Sequence, residues 1–221
     1  MKRKQGRPTA KAPILTRQGI LNTALRLVDE KGVNALSMRR LAVRLGVDPM
    51  AIYHHVPNKQ ALLTGLVQVV FAELEVPSAG GQSWQDQVRA VARAYQQLAH
   101  RHPNLVLYLA TDIETAAGAA LETTEALYQA LAGAGLPPRL VLQAADLIVD
   151  YVNGFALAEV AGPLGQPGER QVLIDQLNRH APDAFPVMRQ LFASLTEAEL
   201  RADFEAGLTF ILAGLERFGQ G

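Results

Sequence analysis

Apolar and polar positions recur along most of this chain with the 3.6-residue period of a helix, and no segment shows the two-residue alternation of a half-buried strand. From Thr16 onward, Ile20, Leu21, Ala24, Leu25, Leu27 and Val28 fall on one face, and Lys31-Gly32 supplies a stop. Residues 36–63, LSMRRLAVRLGVDPMAIYHHVPNKQALL, then read as two short helices joined by a glycine turn and followed by a third. Ser37 caps the first, whose Met38, Leu41, Ala42 and Leu45 share a face. Gly46 supplies the turn, because a residue without Cβ tolerates positive φ. Asp48 and Pro49 read as a cap and a first helical position, and the second helix is predicted over 49–56. Val47, Ile52 and Val56 pin it to the first helix and leave Met50, Tyr53 and His54 outward.

The pattern continues with a helix over 59–74, capped by Asn58, and then breaks at 76–82, VPSAGGQ. Beyond the break, helices are predicted over 83–100 from the cap Ser83, 103–111, 116–134, 139–161, 170–179 and 183–194. Gly135 with Pro137-Pro138 and the segment 162–169, GPLGQPGE, punctuate them. Thr196 and Glu199 have the spacing of a capping box before a last helix that runs to about Phe218. The expected fold is therefore all-α. An N-terminal three-helix helix-turn-helix domain precedes a helical C-terminal domain, with boundaries at 1–13, 14–58, 59–75 and 76–221.

Composition changes this picture in two ways. The 221 residues contain no cysteine, which excludes disulfides, thiolate metal sites and cysteine nucleophiles. Net charge is zero for the whole chain, yet residues 1–75 carry +7 and the remainder −7. A basic N-terminal part gains affinity from phosphate contacts and counterion release, while an acidic remainder is held off the duplex. Residues 1–13, with Lys2, Arg3, Lys4, Arg7 and Lys11 among Gly and Pro, read as a flexible basic arm, either a solubilising tail or an extension along the DNA. No unbroken apolar run of about 18 residues and no leader pattern is visible, so a cytoplasmic protein without membrane contact is expected.

Leu41-Ala42, Leu45-Gly46-Val47, Tyr53-His54-His55, Asn58-Lys59 and Leu62-Leu63, in that order after one amphipathic helix, resemble the TetR family of bacterial transcriptional repressors. The resemblance covers about residues 16–74. It implies a first domain that binds double-stranded operator DNA as half of a homodimer, and a helical remainder that holds an unknown small-molecule effector and the second subunit. It also places a base-contacting arginine at Arg39, whose guanidinium geometry suits a guanine edge. Arg40 is expected on a phosphate, as is the Tyr53 hydroxyl, although a core role for Tyr53 stays open. Met50 offers apolar contact to a thymine methyl. Lys59, at a helix N-terminus, brings charge and free backbone N–H groups to a phosphate. Ser37, Met38, Pro49, His54 and His55 complete the expected DNA surface. The family's tetracycline-responsive namesake has a glutamine and a tryptophan where this chain has Pro49 and His54, so a different operator, in the form of an inverted repeat, is expected. Pro57 also replaces a common basic residue.

For the second domain, the apolar content of 139–161 and 201–218 exceeds one buried face each. The family implies that these helices pack on a dimer mate, helped by Ala144, Ala145, Gly154, Ala206, Gly207, Ala213 and Gly214; packing within one chain is the alternative. Gln143, Asp146, Asp150 and Asn153 form one helical stripe, either a solvated face or part of a ligand wall. Candidate effector contacts are His100, Tyr108, Asp112, Tyr128, Asp150, Tyr151 and Phe155, with Trp84, Phe185 and Met188 as further apolar lining. The residues that hold tetracycline and its magnesium in the namesake fall, without gaps, near Leu107, Ala110 and Ala158, so tetracycline is not implied. His100 and His102 lack a visible third ligand, and neither metal nor cofactor is expected. No phosphate loop, HExxH or Ser-His-Asp pattern is present, so the chain is expected not to be an enzyme.

Overall fold

The computed structural model describes residues 15–75, 82–109, 118, 120–161, 169–196 and 203–219. The fold is all-α, and among these residues there is no strand. The basic arm at 1–13, Asp112 and Glu199 of the expected capping box lie outside them. Residues up to Leu66 form one compact unit and residues from Val67 a second.

The first unit opens with α1, Arg17–Lys31, where the Thr16 hydroxyl accepts from the Gly19 amide at 3.1 Å. A single 3-10 turn, Val33–Ala35, leads to α2, Met38–Leu45, and α3, Pro49–Tyr53. α3 is shorter than predicted. Pro57 disfavours helical geometry at the residue before it, and the chain tightens ahead of it, with the His55 amide reaching back only to the Ile52 carbonyl at 2.9 Å. α4, Lys59–Phe71, follows, and the division between units falls inside it. Ile20, Leu21, Ala24, Val28, Leu36, Leu41, Ile52, Leu62 and Leu66 are sealed in the core. Each of the larger side chains contributes about 1.5–3 kcal/mol by leaving water.

In the second unit, α5 (Trp84–Arg101), α7 (Leu121–Ala132) and α8 (Pro138–Ala161) pack on one another, and α6 (Pro103–Leu109) lies on α5 and α8. α9 (Glu169–Leu177) pairs with α10 (Pro186–Ser194), and α11 (Phe204–Gly219) packs on α8. The core holds Val88, Leu127, Leu131, Ala144, Ala145, Ile148, Val152, Phe204 and Leu208. α11 starts at Phe204 because the Asp203 carboxylate accepts from the amides of Glu205 at 2.9 Å and Ala206 at 3.2 Å. By length and composition, residues 138–158 of α8 are apolar enough to cross a membrane, a property that a search for unbroken apolar runs misses. Ala144, Ala145, Ile148 and Val152 of this helix are buried in the unit's own core. Three of the small residues expected to admit a dimer mate are likewise used within the chain. Ala144 and Ala145 are core, and a Cβ on Gly207 would stand 2.3 Å from the Tyr151 hydroxyl, so glycine there allows close approach of α11 to α8.

Candidate nucleic-acid interface and effector cavity

Local chemistry fixes the α2–α3 segment. The Ser37 Oγ accepts from the Arg40 amide at 3.2 Å and starts α2. Gly46, at φ 68° and ψ 32°, ends it. The Gly46 amide reaches the Val43 carbonyl at 3.3 Å and the Val47 amide the Ala42 carbonyl at 3.1 Å, the paired bonds of a left-handed helix stop. Two residues later Asp48 Oδ1 accepts from the Met50 amide at 2.8 Å, with Pro49 in the first turn where its missing N–H is not needed. Asn58 Oδ1 accepts from the Ala61 amide at 2.8 Å and opens α4, which leaves Lys59 exposed in its first turn.

The side chains sort themselves by what they touch. Leu41, Ala42, Ile52 and Val56 are buried and hold α2 against α3. Met38, placed with the DNA contacts from sequence, is only 9% exposed and belongs to this core, so its position at the helix start does not put its side chain outside. Ser37 spends its hydroxyl on the cap. Arg44 forms a bidentate pair with Glu30 of α1, one bond at 2.7 Å, and the guanidinium holds the Glu30 carboxyl below the usual carboxylate range. Arg40 Nη1 donates to the Ala35 carbonyl at 3.1 Å. Arg39 is exposed and has no hydrogen bond or ion pair among the described residues. It is thus the arginine of α2 whose whole fork is uncommitted. His54 and His55 are exposed in the turn after α3, and Pro49 is half-buried.

Among the described residues of this unit, three large apolar side chains remain exposed: Val43 at 78%, Met50 at 63% and Tyr53 at 41%. All three lie in the α2–α3 segment. Sequence reasoning passed over Val43, although an apolar residue on the charged side of α2, one turn after Arg39, was the available signal. Exposure also leaves the Tyr53 hydroxyl outside the core. The segment therefore offers a guanidinium, apolar tips, a phenol and two imidazoles, with the Lys59 of α4 beyond them, on a scaffold held by its own caps.

In the second unit a cavity of about 460 Å³ lies among α5, α7 and α8, with Phe71 from the end of α4. Its aromatic walls are Phe71, Tyr95 and Tyr128, and its polar groups are Thr123, Thr124, Asp146, Asp150 and Asn153. The Tyr95 hydroxyl donates to Asn153 Oδ1 at 2.8 Å, and burial pushes its pKa up to about 12, so the phenol stays a neutral donor. Of the residues expected to meet an effector, Tyr128 and Asp150 line this cavity. The others that are described do not. His100 is exposed at the end of α5, and Tyr108 lies on α6 away from the lining. Tyr151 donates its hydroxyl to the Phe204 carbonyl at 2.9 Å and stacks on that ring, while Phe155 meets Phe204 edge-on at 5.2 Å. Both pin α8 to α11. Trp84, Phe185 and Met188 also stand outside the lining. Asp146, Asp150 and Asn153 of the polar stripe line the cavity, the two carboxylates while still exposed to solvent, whereas Gln143, also exposed, does not line it.

Residues 20–66 match the profile described as "Bacterial regulatory proteins, tetR family", and residues 76–218 match "Tetracyclin repressor-like, C-terminal domain". The chain belongs to the TetR family. It is a DNA-binding, ligand-responsive transcriptional regulator and not an enzyme. A curated relative, an HTH-type transcriptional regulator of Saccharopolyspora erythraea, is 32% identical over 204 residues, 92% of this chain and 85% of the relative. The class A tetracycline repressor of transposon 1721 from Escherichia coli is 33% identical over 203 residues, 90% of this chain and 89% of the relative. Among solved TetR structures, apo ActR from Streptomyces coelicolor superposes with a TM-score of 0.77 at 30% identity, covering 96% of this chain and 99% of ActR.

Proposed function

We propose that this chain is a homodimeric repressor that holds a palindromic operator through two copies of the α2–α3 segment and is released when a small molecule enters the cavity among α5, α7 and α8. The observation that carries the reading is the coincidence, in one chain, of a capped segment with uncommitted Arg39, Met50 and Tyr53 and a separate aromatic-walled cavity. Arg39 reads a guanine edge, Met50 and Val43 meet thymine methyls, and Arg40, Tyr53 and Lys59 grip phosphates, with His54 and His55 beside them. Residues 14–58 act as the reading head and 59–75 as the connecting helix. Dimerisation uses α8 and α11, where Leu147, Leu157, Phe210 and Phe218 expose apolar surface and Gly154 and Gly214 leave open space. The protein works in the cytoplasm. ActR has also been solved with actinorhodin bound, which supports a small-molecule role for the corresponding helical domain here. Release requires the effector to bind one DNA-affinity state more tightly than the other, since equal binding shifts nothing.

Anisotropy titration of the full chain against the DNA upstream of its own gene tests this reading. The wild type binds, and Arg39→Ala weakens binding by about tenfold or more, as expected for a lost bidentate base contact of about 1–3 kcal/mol. Tyr53→Ala has a smaller effect, and binding untouched by both changes rules out this surface.

A further inference from the structure

The cavity has a charge as well as a shape. Asp146 and Asp150 stand on its wall one helical turn apart, both open to solvent as well, and neither carboxylate has a hydrogen-bond or ion-pair partner among the described residues. No lysine, arginine or histidine is among the described lining residues. Two like charges at this spacing on a helix repel each other unless something between them is positive. Asn153 continues the stripe another turn along, about 10 Å from Asp146 by helical rise. Its Oδ1 is engaged by Tyr95, which leaves its amide N–H group without a partner among the described residues. Phe71, Tyr95 and Tyr128 supply aromatic surface between and around these polar groups.

We propose that the effector is an organic cation: a flat aromatic body carrying a protonated amine, whose ammonium sits against Asp146 and Asp150. The body lies along Phe71, Tyr95 and Tyr128, where a nearby positive charge is also attracted by the ring faces. A hydrogen-bond acceptor on the far side of the body meets the Asn153 amide. Aromatic anions of the same size are disfavoured, because the lining offers them no cation. This inference rests on the cavity being the effector site.

Calorimetric titration of the full chain at pH 7 with three acridines of similar size tests it: 9-aminoacridine as the cation, acridone as the neutral compound and acridine-9-carboxylate as the anion. The wild type is expected to bind 9-aminoacridine about tenfold more tightly than acridone, the scale set by two solvent-exposed carboxylates acting together, and the carboxylate more weakly than either. In the Asp146→Asn/Asp150→Asn double variant the cation's advantage falls to within about twofold while acridone binding is unchanged. Thr124→Trp, which fills the cavity from α7, abolishes binding of all three. If the three probes bind the wild type equally and Thr124→Trp removes them, charge selection is overturned and the cavity stands as the effector site. A cation preference that survives the double substitution overturns it too. If no probe binds, or Thr124→Trp changes nothing, the cavity reading itself fails and the inference falls with it.

Discussion

The two units of this chain treat exposed apolar surface differently. Among the described residues up to Leu66, the large apolar side chains that remain exposed are Val43, Met50 and Tyr53, confined to the α2–α3 segment and set among basic and imidazole groups. From Val67 onward they run along whole helices: Leu142, Leu147, Val149 and Leu157 on α8, Val172 and Leu173 on α9, Val187 and Leu191 on α10, Phe210 and Phe218 on α11. A few apolar tips amid positive charge suit a groove lined by phosphates and thymine methyls. Long apolar stripes suit another protein surface. Exposure of one residue type thus has two meanings, and the charge around it decides which.

The largest effect that separates the units comes from the head's core. Ile52 is fully buried and holds α3 to α2, so Ile52→Ala is expected to destabilise the chain by about 3 kcal/mol in denaturant titration. Operator binding should vanish with it. Replacing exposed Met50 by Ala should leave stability within about 0.5 kcal/mol while still weakening DNA binding. If Met50→Ala destabilises the fold as Ile52→Ala does, the exposed tips of the head are structural and the contrast collapses.

A second contrast is visible in pH. The Tyr95 phenol titrates near 12 in the fold because it is buried, against about 10 in an unfolded chain. The raised value means that the stabilisation is complete below pH 10 and is lost as pH rises from 10 to 12, where the unfolded chain sheds the proton first. The loss attributable to this group reaches about 2–3 kcal/mol. Tyr95→Phe should flatten that part of the wild-type stability curve, measured by denaturant midpoints from pH 9 to 12. An unchanged slope means that the phenol is not enclosed by the cavity wall. No comparable buried phenol exists among the described residues of the head, where Tyr53 is exposed.

These contrasts also show which features a sequence exposes. Ser37, Gly46, Asp48, Asn58 and Ser83 were all readable, because a cap or stop satisfies backbone groups two to five residues away and so leaves a local signature. The commitment of Arg44 to Glu30, fourteen residues back, was not, and it is what singles out Arg39 in α2. The same holds in the second unit. Periodicity placed Asp146, Asp150 and Asn153 on one stripe but carried no information about what faces them. Tyr151 and Phe155 looked like ligand contacts because aromatic residues serve cavities and cores equally. Their partner, Phe204, lies about fifty residues on and is invisible to any local pattern. Met38 was read both on the apolar face and among the DNA contacts, and only the first reading agrees with its burial: its neighbours Arg39 and Arg40 face out, and a helix turns about 100° per residue.

The smallest expected effects test whether the stripes of the second unit meet a protein partner. Gly207 and Gly214 lie on the same helix, two turns apart. A Cβ at Gly207 would displace the Tyr151 hydroxyl from the Phe204 carbonyl, whereas a Cβ at Gly214 meets nothing within 4 Å in the chain. Gly207→Ala should therefore cost about 1 kcal/mol, the hydrogen bond it breaks offset in part by the better helix propensity of alanine. Gly214→Ala should, in an isolated chain, stabilise by about 0.5–1 kcal/mol through propensity alone. If α11 packs on its counterpart in a second subunit, Gly214 is where backbones approach closely, and the same methyl group instead weakens the dimer. Sedimentation equilibrium of Gly214→Ala beside wild type reads the difference directly. A dimer as tight as wild type together with a raised denaturant midpoint removes α11 from the interface, and a weakened dimer with an intact monomer fold places it there.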